Sequence, residues 1–482
     1  MRLLITRRGW MPSLDWKRIP ERWLPFADAA SADLPLSRLL RLALFQVSVG
    51  MATALMVGTL NRVMIVELGV GAWLVALMVA LPLVAAPFRA LIGFKSDQHR
   101  SFLGWKRVPF VWFGTLALFG GLAIMPFALI LLSGETAIQL WAGHAAAALA
   151  FVLAGAGLQT TQTAGLALAS DLAPEATRPR VVALLYVMLL VGMVGASLVF
   201  GVLLADYSHT RLVQVVQGTA IASVLLNAVA MWKQEPRNSL RVKQAQAKES
   251  FSAHWQRFSS QANVKRFLFA VGLGTAAFNM QDVILEPYGG EIMHLGVGAT
   301  TQLTALMAGG ALLAFALSAR KLARGGDPQR VAAVGVLFGL AGFSAVIFAE
   351  PVDAPNLFRI GATLIGFGGG FFAVGTLSAA MGLEGHGMNG LVLGAWGAVQ
   401  ATCAGAAVAL GGALRDLVSH AATAGWLGEA LQSPATGYAA VYHLELAMLF
   451  ATLIVLGPLV RRGHSAAAAP SSQRFGLAEL PS

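Results

Sequence analysis

Twelve apolar runs of about twenty residues each recur along this chain, and they constrain its fold more than any other feature. A run of that length crosses the roughly 30 Å hydrocarbon layer of a bilayer as an α-helix. Inside lipid the backbone must satisfy its own hydrogen bonds. Runs this long, without apolar–polar alternation, exclude the strands of a membrane barrel. They predict helices over 41–66, 72–94, 108–132, 140–168, 181–204, 213–232, 266–287, 299–319, 331–349, 356–380, 390–412 and 438–460. The fold class that follows is an all-α integral membrane protein with 12 transmembrane helices. Only 12% of the residues are charged and 57% are apolar or aromatic, against about 25% charged in soluble domains. That balance excludes intrinsic disorder. It also excludes a nucleic-acid surface, despite a net charge of +11, because the basic residues are few and scattered.

The placement of those basic residues predicts an orientation. Of 34 Lys and Arg, 29 fall on the side that holds both termini, Arg89 lies in or at the end of the second helix, and only Arg62, Arg211, Arg359 and Arg415 fall on the other side. Positive charge marks the cytoplasmic side, so both termini are expected there. Residues 1–40 lack an apolar core and mix Arg and Lys with Trp10, Trp16 and Trp23, as an interfacial segment would, and not as a signal peptide. Residues 41–232 and 266–460 form two six-helix bundles, joined by a polar cytoplasmic linker at 233–265. Residues 461–482 read as a disordered cytoplasmic tail. The single cysteine, Cys403, excludes an internal disulfide.

The two bundles echo each other. VGMATA (49–54) returns as VGLGTA (271–276), LGVGA (68–72) returns at 295–299, and GVLLAD (201–206) returns as GGALRD (411–416). Two parallel six-helix repeats are the architecture of the major facilitator superfamily, whose substrate sites lie between the halves. The connection GFKSDQHRSFLGWKR (93–107) resembles that superfamily's cytoplasmic signature, with matches at Gly93, Asp97, Arg100, Gly104, Lys106 and Arg107. Asp97 would cap a helix N-terminus and pair with a neighbouring cation. Simple positive-inside anchoring explains the same charges.

Several long stretches carry a more specific resemblance. They include GTLNRVMIVELGV (58–70), APFRALIGFKSDQHRSFLGWKRVPF (86–110), QTTQTAGLALASDLAPE (159–175), DVILEPYGGE (282–291) and LGAWGAVQATCAG (393–405). On these the chain resembles the PucC/LhaA family, also called the bacteriochlorophyll delivery family, and is nearer its PucC branch. The resemblance implies an assembly factor for light-harvesting antenna complexes in the bacterial inner (intracytoplasmic) membrane of a purple phototroph. The implied partners are antenna polypeptides, bacteriochlorophyll or its synthesis and delivery machinery, and membrane lipid, with no nucleic acid. It requires no tightly bound cofactor and admits bacteriochlorophyll as cargo. The alternative is a secondary transporter of a small or lipid-like solute.

Polar residues inside the spans mark candidate sites, because a charge in lipid is costly. Asn61, Arg62 and Glu67 end the first helix; Asn279, Gln281, Asp282 and Glu286 occupy the corresponding place in the seventh. Arg62 is expected to pair with Asp282 or Glu286 across the halves, as a latch; interfacial snorkelling is the other reading. Gln159, Thr160 and Gln162 in the fourth helix would line a cavity or join helices. Trp396 would stack on a flat ring or pack in the core. For a metal-bearing pigment the candidate ligands are His144 and His443, the two histidines set in apolar surroundings. No catalytic constellation and no protein metal site is read, and a non-enzymatic role follows. The orientation is checked by reporter fusions: a fluorescent protein after residue 482 should report a cytoplasmic end, whereas the same reporter within 424–434 should stay dark.

Overall fold

The computed structural model describes residues 30, 34–84, 105, 107–132, 140–174, 177–235, 264–382 and 389–466, and no strand occurs among them. Twelve helices account for nearly all of it. They are α1 (Leu36–Glu67), α2 (Ala72–Val84), α3 (Val108–Leu132), α4 (Leu140–Leu172), α5 (Arg178–Leu203), α6 (His209–Met231), α7 (Val264–Glu291), α8 (Val297–Ala323), α9 (Pro328–Ala349), α10 (Pro355–Gly382), α11 (Asn389–Thr423) and α12 (Ala435–Ala466). Eleven of them are long and apolar enough to cross a membrane; α2 is apolar but shorter among the described residues. The protein is a multi-pass membrane protein.

Most expected boundaries hold to within five residues, and two shift further. The helix expected over 390–412 runs eleven residues further, to Thr423, which brings Arg415 inside α11. The last helix continues through 461–466, residues expected in the tail. Helices α1 and α7 are not uniform. Wider π-helical turns occupy Ala54–Thr59 and Val63–Glu67 of α1, and a 3₁₀ turn at Met280–Val283 breaks α7. The signature residues Gly93, Asp97, Arg100, Gly104 and Lys106 lie outside the described residues, as do most of 1–40, of the linker and of the tail.

The two halves repeat one packing scheme. In the first, α1 packs on α5 and α6, α3 on α4 and α6, and α2 on α4. In the second, α7 packs on α11 and α12, α9 on α10 and α12, and α8 on α10. Glycine makes the closest of these seams possible. Gly114 of α3 faces the backbone of Gly157 and Thr161, and its counterpart Gly335 of α9 faces Gly368 and Phe372, so a Cβ at either would collide with backbone. Backbones approach this closely only across small residues, which is how helices associate where lipid supplies no hydrophobic drive.

Between the halves, α2 meets α11 and α5 meets α8. Each seam joins sequence segments that repeat. Gly298, in the second LGVGA copy, packs on Gly201, in GVLLAD; Gly412, in GGALRD, packs on Ala72, in the first LGVGA copy. Both contacts lie at the face opposite the one where α1 begins. A Gly298→Val replacement should therefore lower stability in detergent by about 1–3 kcal/mol. Gly195→Ala, where an added Cβ meets nothing within 4 Å, should be neutral or slightly stabilising. Thermal unfolding of the two variants separates these outcomes.

Candidate functional site

The break in α7 creates the most polar locus of the bundle interior. A 3₁₀ turn cannot supply the i→i−4 bonds of an α-helix, so carbonyls near the break need other donors. Asn61, fully buried on α1, supplies them: its amide Nδ2 donates to the carbonyls of Asp282 and Val283, each at 3.2 Å. The same amide also bonds the Val57 carbonyl of its own helix. A second bridge follows two residues earlier, where the Thr59 and Thr301 hydroxyls meet at 3.3 Å between α1 and α8.

Three carboxylates surround the break. Asp282 accepts from Gln281 Nε2 at 2.7 Å, and Glu286 accepts from the Thr304 hydroxyl of α8. The third, Glu445 of α12, is fully buried, with the Gln281 backbone N–H of the broken turn as its polar neighbour. It lies within electrostatic range of Asp282. Sequence reading missed Glu445: it is the lone acid between 438 and 460, two residues from the more conspicuous His443. Asp282 opens on a cavity of about 280 Å³ within the second half. Phe278, Phe315 and Phe372 give it apolar walls, and Asn279 and Gln400 add polar atoms. Gly366 and Gly370 of the glycine run in α10 pack on α8, Gly368 packs on α9, and Gly369 is left beside the cavity near Phe278.

Arg62 does not make the pair expected of it. Its guanidinium bonds Glu67, one turn further along α1, and donates to the Leu295 carbonyl at 3.3 Å. It lies against Gly290, so close that a Cβ there would touch it. Arg62 therefore bridges the halves through backbone, while Asp282 and Glu286 take the neighbours given above. The reason is local: Glu67 sits in the same π-helical turn region and reaches Arg62 without crossing the interface. Burial, and secondarily the Glu67 charge, raise the Tyr207 phenol above its ordinary pKa where the α5–α6 connection closes over this pair.

A second inter-half contact caps a helix. Asp416 of α11 accepts from the Trp73 backbone N–H at 2.8 Å, at the start of α2. Arg415 beside it bonds Asp416 at 2.8 Å, Glu291 at 2.5 Å and the Tyr438 hydroxyl at 2.9 Å, and lies over the Tyr438 ring. The counterpart of Asp416 in the first half, Asp206, instead pairs with Arg211 at 3.1 Å, in the open. At the other face, buried Arg107 pairs with Asp171 of α4 at 3.0 Å. Its backbone N–H and that of Val108 donate to Glu235, which caps α3 from beyond α6. Neither Glu235 nor the Asp416 cap was legible in the sequence, since each acts across more than one hundred residues.

The remaining candidates scatter. Gln159 and Thr161 of α4 each have a buried side-chain oxygen without a partner among the described residues, Thr160 bonds the Ala156 carbonyl of its own helix, and Gln162 is half-buried. Trp396 donates to the Thr376 hydroxyl at 3.3 Å and packs in the core of the second half. His144 is half-buried near the start of α4, and His443 is exposed on α12; neither lines the cavity. No cluster of three or more metal-ligating side chains occurs among the described residues.

Comparison with known proteins places the chain. The family described as PUCC protein matches residues 59–464. An uncharacterized protein of the puhA–bchM intergenic region of Rhodobacter capsulatus is 54% identical, covering 95% of this chain and 97% of its own length. Protein PucC of Cereibacter sphaeroides is 52% identical, covering 93% and 97%. A bacteriochlorophyll synthase 44.5 kDa chain of Rhodobacter capsulatus is 29% identical, covering 79% and 88%. Among solved structures, an inward-facing bacterial homologue of the lysosomal transporter Spinster superposes with a TM-score of 0.63 at 14% identity, covering 90% and 98%. A bacterial homologue of the iron transporter ferroportin gives 0.64 at 16%, covering 88% and 98%. The fold is that of the major facilitator superfamily. For the arginine, the geometry predicts a double-mutant cycle: Arg62→Ala and Asp282→Ala should be additive within about 0.5 kcal/mol, whereas Arg62→Ala and Glu67→Ala should couple. Asn61→Ala should cost about 1–3 kcal/mol, because two carbonyls lose a donor inside the membrane.

Proposed function

The chain belongs to the PUCC protein family, and from that premise we propose that it is a non-enzymatic assembly factor for light-harvesting antenna complexes. It works in the inner, intracytoplasmic membrane of a phototrophic bacterium, with both termini cytoplasmic, and handles antenna polypeptides, bacteriochlorophyll, or both. The observation that carries this reading is the near-complete match to PucC relatives at about half identity. The distant relative named as a bacteriochlorophyll synthase chain adds support for a tetrapyrrole connection.

The interior adds a physical argument. A drug-sized ligand needs a pocket of about 300–1,000 Å³, and the cavity beside Asp282 measures about 280 Å³. A tetrapyrrole with an isoprenoid tail exceeds that, so such cargo fits outside this cavity, in the cleft of about 790 Å³ beside Trp112 or on the lipid-facing surface. There the chain presents large apolar side chains, including Phe113, Phe127, Phe269, Phe348 and Ile454.

A second reading, a transporter of a small solute, has one observation in its favour: the cavity, with Asp282, Asn279 and Gln400 on its walls beside a broken helix. Half-helix ends and unwound carbonyls form the substrate sites of several transporter folds. One purification separates the two. Protein extracted in mild detergent from phototrophically grown cells should carry bacteriochlorophyll absorption and antenna polypeptides. A colourless protein without antenna polypeptides, which moves a defined solute across liposomes, would support the transporter instead.

A further inference from the structure

His443 stands apart from the interior sites. Its ring is exposed on α12, and Nδ1 lies 2.7 Å from the Ala439 carbonyl one turn back. A carbonyl oxygen can only accept, so Nδ1 carries the hydrogen and, in the neutral ring, Nε2 carries the lone pair. Nε2 makes no hydrogen bond within the described residues.

Depth makes this unusual. The membrane-crossing part of α12 is Ala435–Val460. His443 lies about five residues from its midpoint, or about 7 Å along an upright helix at 1.5 Å per residue. The hydrocarbon half-thickness is about 15 Å. A fixed lone pair directed at lipid from that depth has no water to satisfy it, and intramembrane ionisable groups are functional by default. His144 differs: it is the fourth residue of its crossing segment, Trp141–Leu172, and so lies near the membrane surface.

The surroundings favour a flat apolar ligand. Ala440 and Ala447, three before and four after His443, leave a shallow clearing on the same side. Phe450 and Ile454 continue that stripe, exposed at 57% and 73%. We propose that His443 is the axial ligand for the central metal of a chlorophyll-type macrocycle held on the lipid-facing surface of α12, with the isoprenoid tail along Phe450 and Ile454. The inference rests on the pigment-handling reading. The bond to Ala439 fixes the ring orientation, as hydrogen bonds from the second nitrogen do in metal-ligating histidines. An imidazole nitrogen suits a divalent metal that lacks its fifth ligand.

The test is a titration of the full-length protein, purified in detergent from a host that makes no pigment. One arm uses magnesium bacteriochlorophyll and the other its metal-free bacteriopheophytin; affinity and the resonance Raman coordination bands are read. The wild type should bind the metal form at least about tenfold more tightly. His443→Leu should fall to the metal-free level without a change in thermal unfolding. His443→Gln, whose amide oxygen can ligate magnesium, should keep part of the preference, and His144→Leu all of it. If His443→Leu binds the metal form as the wild type does, the site is wrong while the pigment-handling reading stands. If the wild type binds neither pigment, both fall.

Discussion

The bilayer offers the backbone no partner, and one side chain answers that constraint where this fold departs from a plain helix bundle. Asn61 donates to the carbonyls left by the 3₁₀ turn in α7. An unsatisfied backbone group in lipid costs several kcal/mol, so the break could not persist without a donor from the other half. In consequence α1 and α7 are keyed to one another at a fixed height. Asp282 is turned toward the cavity, and Glu286 is brought to Thr304 on α8. The aromatic packing of Tyr288 on Phe358, Tyr438 and Tyr442 then holds the last turns of α7 against α10 and α12.

The repeat explains where the halves meet, and its imperfection explains how they are held. Small residues from the same two repeated segments form both seams, α2 with α11 and α5 with α8. Only one seam has a charged cap, because Asp416 reaches the start of α2 while Asp206 stays in the open with Arg211. Arg415 holds Asp416 in place and is itself held by Glu291 and Tyr438. These ties, like the Arg62 contact with Leu295, gather at one face. The opposite face is ordered within the first half by Arg107, Asp171 and Glu235.

Much of this was legible in the residues. Span number, the two-fold repeat and the polar ends of α1 and α7 follow from runs, echoes and rare polar residues in apolar surroundings. What was not legible has a common physical origin. These helices are apolar on nearly every side, so periodicity does not say which face turns inward. His443 and Glu445, two residues apart, point to lipid and to the core, and no pattern distinguished them. Asp282 and Glu286 are the partners the sequence suggests for Arg62, and its choice of Glu67 depends on a π-helical turn that composition does not reveal. The end of α11 lies beyond the apolar run because a half-buried ion network accommodates Arg415 and Asp416 inside the helix.

On the proposal above, this chain serves antenna assembly and does not carry a solute. The most direct measurement is the near-infrared absorption of membranes from the organism that encodes it, with the chain deleted and then restored. Deletion should lower the absorption of assembled antenna complexes while the antenna polypeptides are still synthesised, and restoring the chain should return it. Antenna absorption unchanged by the deletion would overturn the assembly role.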